Sequence, residues 1–255
     1  MLVLLTPSKT MDFETPTPGY IVPTTPPFAG QAGVIRYLLA RYDQPSLQSL
    51  MRISPTLAER VQAMYRSHVY KPAFWTYHGD VFKGIKAQTL TQDDARFAQR
   101  HILVPSAVYG LLRPMDEISP YRLEMSAKLA VEGSSNLYEF WGEQLAQYVA
   151  SYRQYELLIL SSLEYSRAIT KHLLPDIRVV TPVFLDVKGN GQIGQVPIYN
   201  KMMRGVMARW IIDQRIDRLE DITSFEAHGY SYDAERSAPN SPAYYREVMT
   251  PLVFT

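Results

Sequence analysis

The chain alternates between short unbroken apolar runs and longer stretches with apolar residues at helical spacing. Leu2 to Leu5 is an uninterrupted apolar run closed by Thr6 and Pro7, and it predicts a buried strand, central in a sheet. Thr15 to Pro27 carries five prolines and four threonines and predicts an extended surface connection. From Phe28 to His68 the pattern is helical. Val34, Ile35, Leu38, Leu39 and Tyr42 form one stripe, Ser46 is placed to cap a short helix through Met51, and Ser54-Pro55 opens another helix with Leu57, Val61 and Met64–Tyr65 inward. Thr91 is the expected cap of a further helix, with Asp93 and Asp94 near its positive end.

Further along, Ile102–Val104 and Leu157–Leu160 read as strands, and Leu137–Tyr152, Leu163–Leu173 and Asn200–Gln214 as helices. Arg178–Val187 and Gln192–Ile198 around Lys188-Gly189-Asn190-Gly191 read as a hairpin, with short strands to follow. Interspersed strands and helices, without repeats or a clear linker, predict one α/β (mixed α+β) domain over residues 1–255 with a central mixed sheet and helices around it.

The stretch from Phe97 to Met125 departs from these patterns. It begins as a helix and then interleaves Arg113, Asp116, Glu117, Arg122 and Glu124 with Tyr109 and Tyr121. Pro105, Pro114 and Pro120 forbid a continuous helix. Charges and tyrosines held in a proline-stiffened loop suit a polar or anionic partner.

Composition narrows the chemistry. A chain of 255 residues, 46% hydrophobic and 20% charged, buries enough surface to fold without a metal or disulfide staple. It has no cysteine, which excludes disulfides, thiolate catalysis, a thiol peroxidase and a cysteine-ligated iron–sulfur cluster. The five histidines form no HxxxH pair, so neither a metal nor any other cofactor is expected. A net charge of +1 gives no global field for nucleic acid, so an anion site must come from local clustering. The N-terminus lacks a secretory signal and no run approaches a membrane span. The expectation is a cytoplasmic monomer with no membrane contact. Neither GxSxG nor GxGxxG occurs.

Three local constellations carry candidate chemistry. Lys9, in Ser8-Lys9-Thr10, follows the first strand and stands where an anion meets a sheet's carboxyl end, or is simply a surface lysine. Gly79 to Ala87 reads GDVFKGIKA and is similar to part of a helix-hairpin-helix signature, with Lys83 and Lys86 beside it and Lys86 in place of the second glycine. A plain turn before a capped helix explains it equally. In Lys201–Trp210, Lys201 and Arg204 share a helical side while Arg209 diverges, so there is no single basic stripe. Gly205 marks close approach of another segment or of a ligand.

Seven blocks, in order along nearly the whole chain, resemble the bacterial YaaA peroxide-stress proteins. They are Thr6–Phe13 (TPSKTMDF), Gly79–His101, Tyr109–Met125 (YGLLRPMDEISPYRLEM), Leu137–Leu145 (LYEFWGEQL), Ser161–Ile169 (SSLEYSRAI), Lys201–Ile212 (KMMRGVMARWII) and His228–Asp233 (HGYSYD). The resemblance implies a cytoplasmic protein of the hydrogen peroxide response, linked to keeping unincorporated iron low. It implies a single α/β domain with a basic cleft, a helix-hairpin-helix-like element and binding to duplex or branched DNA. No established reaction comes with it.

Carried over by motif, Lys9, Lys83, Arg113, Arg122, Lys201, Arg204 and Arg209 become the nucleic-acid or anion-binding residues. Asp80, Tyr109, Tyr121, Glu124 and Glu164 become the polar partners of the cleft. Met203 stands where the family usually has a basic residue, Asn200 where it has a small one and Leu160 where it has asparagine, which makes this cleft less positive. The other class of function open to these residues is an enzyme acting on a nucleobase, nucleotide or related small anion. Arginines would hold the anion, and Glu124, Glu164 or Asp80 would move a proton.

Overall fold

The computed structural model describes residues 1–247, 251 and 252. Strand β1 (Leu2–Leu5) is followed by an irregular connection and helices α1 (Ala29–Ala40), α2 (Gln44–Met51) and α3 (Pro55–Tyr65). Next come β2 (Lys71–Pro72), α4 (Ala73–Thr76), α5 (Asp80–Ile85), α6 (Gln92–His101), β3 (Ile102–Ser106), β4 (Gly110–Leu112) and β5 (Glu117–Ile118). The second half holds α7 (Leu137–Trp141), α8 (Gln144–Ser151), β6 (Glu156–Leu160), α9 (Leu163–Thr170), β7 (Arg178–Val180), β8 (Val183–Val187) and β9 (Ile193–Gly194). The long helix α10 (Pro197–Gln214) and strands β10 (Ser231–Ala238) and β11 (Ser241–Arg246) follow.

The central sheet has the order β4-β3-β1-β6-β7. Strands β3, β1, β6 and β7 are parallel and β4 is an antiparallel edge. All four residues of β1 are buried, because helices cover both faces of a parallel sheet's middle strand. The mixed α/β architecture is therefore as the pattern predicts. A second sheet, β10-β11-β8-β9, packs through Phe184, Phe225, Tyr230 and Tyr244 onto the same core, and β2 pairs with β5 in a short ribbon.

Local chemistry sets the boundaries. Ser54 caps α3 through Leu57 N, and Thr91 and Asp94 form a reciprocal capping box on α6. The cap of α2 is Asp43, whose side chain accepts from Ser46 N, so Ser46 lies inside the helix instead of before it. The predicted helix over Leu137–Tyr152 breaks at Gly142 (φ +45°), the stop between α7 and α8. Arg178–Val187 is two strands in different sheets. Only β8 and β9 form the expected hairpin, and α10 already starts at Pro197, the first-turn position proline prefers. Among the described residues no helix is long and apolar enough to cross a membrane.

Helices α5 and α10 cross with their backbones in contact. A Cβ on Gly205 would sit 1.9 Å from the Val81 carbonyl oxygen, and one on Gly84 would sit 2.7 Å from Val206 N. Gly205 thus marks a neighbouring segment. Two glycines let the backbones touch and fix α5 beside Lys201.

A candidate anion-binding cleft at the strand switch point

The chain runs from β1 to β3 on one side and later returns to β6 on the other, so β1 and β6 flank a topological switch point. Ligands of open parallel sheets bind in the crevice beyond the carboxyl ends of such strands. A cleft of about 440 Å³ lies there. Thr6 to Thr10 from the end of β1, Gly79–Phe82 from α5, Tyr121–Glu124, Ser162, Glu164, Tyr165 and Lys201 line it.

The walls are stitched together by backbone. Thr6 Oγ1 accepts from Ser162 N at 3.0 Å and joins the ends of β1 and β6. His78 N donates to Thr10 O at 2.9 Å, and Gly79 lets the Ser8 hydroxyl approach where a Cβ would stand 2.5 Å away. The 120–124 wall is fixed from behind: Arg36 donates to Pro120 O at 2.9 Å and the Tyr65 hydroxyl to Arg122 O at 2.7 Å. Helix α9 starts at the cleft with Ser162 as a cap whose side chain makes no capping bond, so the positive end of the helix is open.

The cleft brings together Lys9, Arg122, Lys201, Asp80, Tyr121, Glu124 and Glu164 of the sequence-derived set. Lys9 pairs with Glu124, and Glu164 Oε1 accepts from both Ser126 N and Ser126 Oγ at 3.0 Å. Arg122 and Lys201 form no ion pair among the described residues. Lys83 is on the exposed face of α5, 3.9 Å from Asp80, outside the lining. Arg204 lies on the same side of α10 as Lys201, half-buried and with no hydrogen bond or ion pair to a described residue; burial lowers its pKa.

Three of the set lie elsewhere. Arg113 is a fold residue: it clamps the fully buried Asp116 at 2.7 Å and donates to Thr25 O. Arg209 donates to Asp213 at 2.7 Å and to the Ile85 and Lys86 carbonyls, closing the end of α5. Tyr109 is buried, its hydroxyl accepting from Ser119 N at 2.9 Å. The Ile102–Tyr121 segment is therefore mostly interior, with Arg113 and Asp116 facing each other where an open loop was expected. Lys86, in the place of the hairpin's second glycine, adopts the left-handed conformation a glycine would take (φ +51°).

A second hollow of about 650 Å³ adjoins the first at Arg122, Leu123 and Glu124, which line both. It adds the exposed cations Arg52 and Lys128, which no spacing argument singles out. Ser162 and Tyr165, inside the SSLEYSRAI block that supplies Glu164, also line the cleft without any spacing that points to them. Among the described residues no group of three or more His, Asp or Glu side chains could hold a metal ion.

Comparison with known proteins follows the same chain. The profile described as peroxide stress protein YaaA matches residues 1–236. A UPF0246 protein of Shewanella sp. strain ANA-3 is 37% identical over 258 residues, covering 97% of this chain and 99% of that protein. A UPF0246 protein of Paraburkholderia phytofirmans is 36% identical over 262 residues, with 98% and 100% coverage. One from Marinomonas sp. strain MWYL1 is 34% identical over 255 residues, with 96% and 97% coverage.

Proposed function

The chain belongs to the peroxide stress protein YaaA family, and from that membership we propose that it acts in the cytoplasm by binding DNA along the joined groove during peroxide stress. The observation that carries this reading is the sharing of Arg122–Glu124 by two hollows, which we read as one groove longer than a small-molecule site needs. Arg52, Lys128, Arg122 and Lys201 lie along it without an acid partner among the described residues. Each is placed to neutralise a phosphate, and the open start of α9 adds backbone N–H groups and a positive end.

If all four make phosphate contacts, log K falls with log salt with a slope of about −3.6 on duplex, from roughly −0.9 per contact. Fluorescence anisotropy with a labelled duplex between 50 and 200 mM salt tests this. A salt-independent affinity, or none at 50 mM, contradicts it. Limiting free intracellular iron is the second part of the proposal. Lower iron reduces the radical load on the DNA that the groove covers. Chelatable iron, measured in cells with and without the protein, tests that part separately.

One observation favours the enzymatic reading. Asp80, Glu124 and Glu164 line the inner cleft with Tyr121 and Tyr165, more acid than phosphate tracking uses. Turnover of nucleotides or nucleobases, screened by mass spectrometry, decides it.

A further inference from the structure

The inner cleft is too small for a duplex, and its chemistry differs from that of the outer groove. Its volume of about 440 Å³ lies in the ~300–1,000 Å³ range of pockets that enclose a single small molecule. Its lining sets Asp80, Glu124 and Glu164 against Lys9, Arg122 and Lys201, a mixed-sign wall that suits a ligand with both hydrogen-bond donors and acceptors.

Two buried tyrosines supply donors there. Tyr165 is 8% exposed, and its hydroxyl has no hydrogen-bond partner among the described residues. That oxygen is not sealed inside either, because the buried side-chain polar atoms lacking partners are Trp75 Nε1, Ser161 Oγ and Asn200 Oδ1. The open space it reaches is the cleft that Tyr165 lines.

Tyr121 is directed by valence. Ser106 Oγ accepts from Val108 N and Tyr109 N, which fills its lone pairs, so its own proton goes to the Tyr121 oxygen at 2.9 Å. The Tyr77 hydroxyl is buried and, among the described residues, reaches only Tyr121, at 2.6 Å. Either hydroxyl can donate in that bond; when Tyr77 donates, Tyr121 accepts both from it and from Ser106. In that arrangement the Tyr121 O–H is left for the cleft, which Tyr121 lines. Burial pushes its pKa up to about 12, so it stays a donor at neutral pH.

We propose that the inner cleft receives one unpaired nucleotide of a nucleic acid whose backbone lies in the outer groove, its base or sugar edge read by the Tyr165 and Tyr121 hydroxyls and by Glu164. The inference rests on the DNA-binding reading and names its substrate class. Glu164 Oε2 has no partner among the described residues and accepts from an exocyclic amine or a sugar hydroxyl, while Lys201 at the rim meets the flanking phosphate. Extruding a base costs least where it is already unpaired, so a bulge or gap is preferred to a perfect duplex.

The test uses the whole protein and two DNAs, a perfect duplex and the same duplex with a single-nucleotide bulge carrying 2-aminopurine. Anisotropy gives affinity, and 2-aminopurine emission reports whether that base leaves the stack. The proposal expects tighter binding to the bulged DNA and a change in emission on saturation. Tyr165→Phe should lower the bulge-over-duplex preference about threefold to tenfold, the effect of one net hydrogen bond. Equal affinity for both DNAs with unchanged emission overturns insertion and leaves the groove reading standing. Failure to bind either DNA at low salt overturns both. If Tyr165→Phe does not fold, the emission measurement on the unaltered protein still decides.

Discussion

Replacing Gly205 with alanine probes the contact that holds the cleft's α5 wall. An alanine normally favours a helix interior over glycine by about 1 kcal/mol, so propensity alone predicts a more stable protein. The structure predicts the opposite. The new methyl would stand 1.9 Å from the Val81 carbonyl oxygen, 2.7 Å from its carbon and 3.0 Å from its Cα, all backbone atoms with no rotamer to turn. Real Cβ contacts essentially never fall under 3.0 Å, so α5 and α10 must part by roughly 1 Å. Overpacking of this kind costs about 1–3 kcal/mol, and a backbone clash lies at the upper end. Net of the propensity gain, the loss is about 2 kcal/mol, a fall in melting temperature of roughly 4–8 °C for a chain of this size. Oligonucleotide affinity should fall with it, because α5 carries Gly79 and Asp80 into the cleft. Thermal denaturation followed by circular dichroism measures the first effect. A Gly205→Ala protein as stable as the parent, or more stable, refutes the tight crossing.

Three further outcomes are expected. Asp186→Ala removes the acceptor of the buried Tyr230 hydroxyl and the carboxylate that Arg246 meets at 2.7 Å, so urea denaturation should show a loss of about 1–3 kcal/mol from the buried donor left unmade. Arg113→Ala should destabilise by ~3–5 kcal/mol, because the buried Asp116 loses its clamp, yet leave the salt slope of DNA binding unchanged. The Asp12 carboxyl is held down to about 2 by hydrogen bonds from Thr15 and Glu14, against 3.8 unperturbed. Its contribution is therefore complete above about pH 4 and is lost as pH falls through 2; Asp12→Asn should flatten the melting temperature's pH dependence across that window, and an unchanged profile argues against it.

Much of this architecture is legible in the residues. Apolar runs such as Leu2–Leu5 and Leu157–Leu160 have few alternatives to buried parallel strands, and Ser54-Pro55 and Thr91 mark helix starts by local chemistry alone. Positions decided by tertiary contact were not legible. Asp43 outcompetes Ser46 as a cap through one hydrogen bond, and Gly142 stops a helix whose apolar stripe continues past it. The site shows the same division. Lys9 is readable because a lysine after a strand's carboxyl end falls near a switch point. Arg113 and Arg209 look like anion ligands in the sequence, but each is engaged by an acid three or four residues away and by backbone carbonyls brought from elsewhere. Arg52 and Lys128 join the groove only because separate segments fold together, and no periodicity reveals that.

The most direct measurement is photocross-linking of a bound oligonucleotide with the attached peptides mapped by mass spectrometry. The account predicts attachment within residues 6–10, 122–128 and 162–165 and around Lys201, on both sides of the ends of β1 and β6. Attachment concentrated instead on the separate hollow formed by Asn136, Tyr138, Arg167, Lys171 and His172 would contradict it.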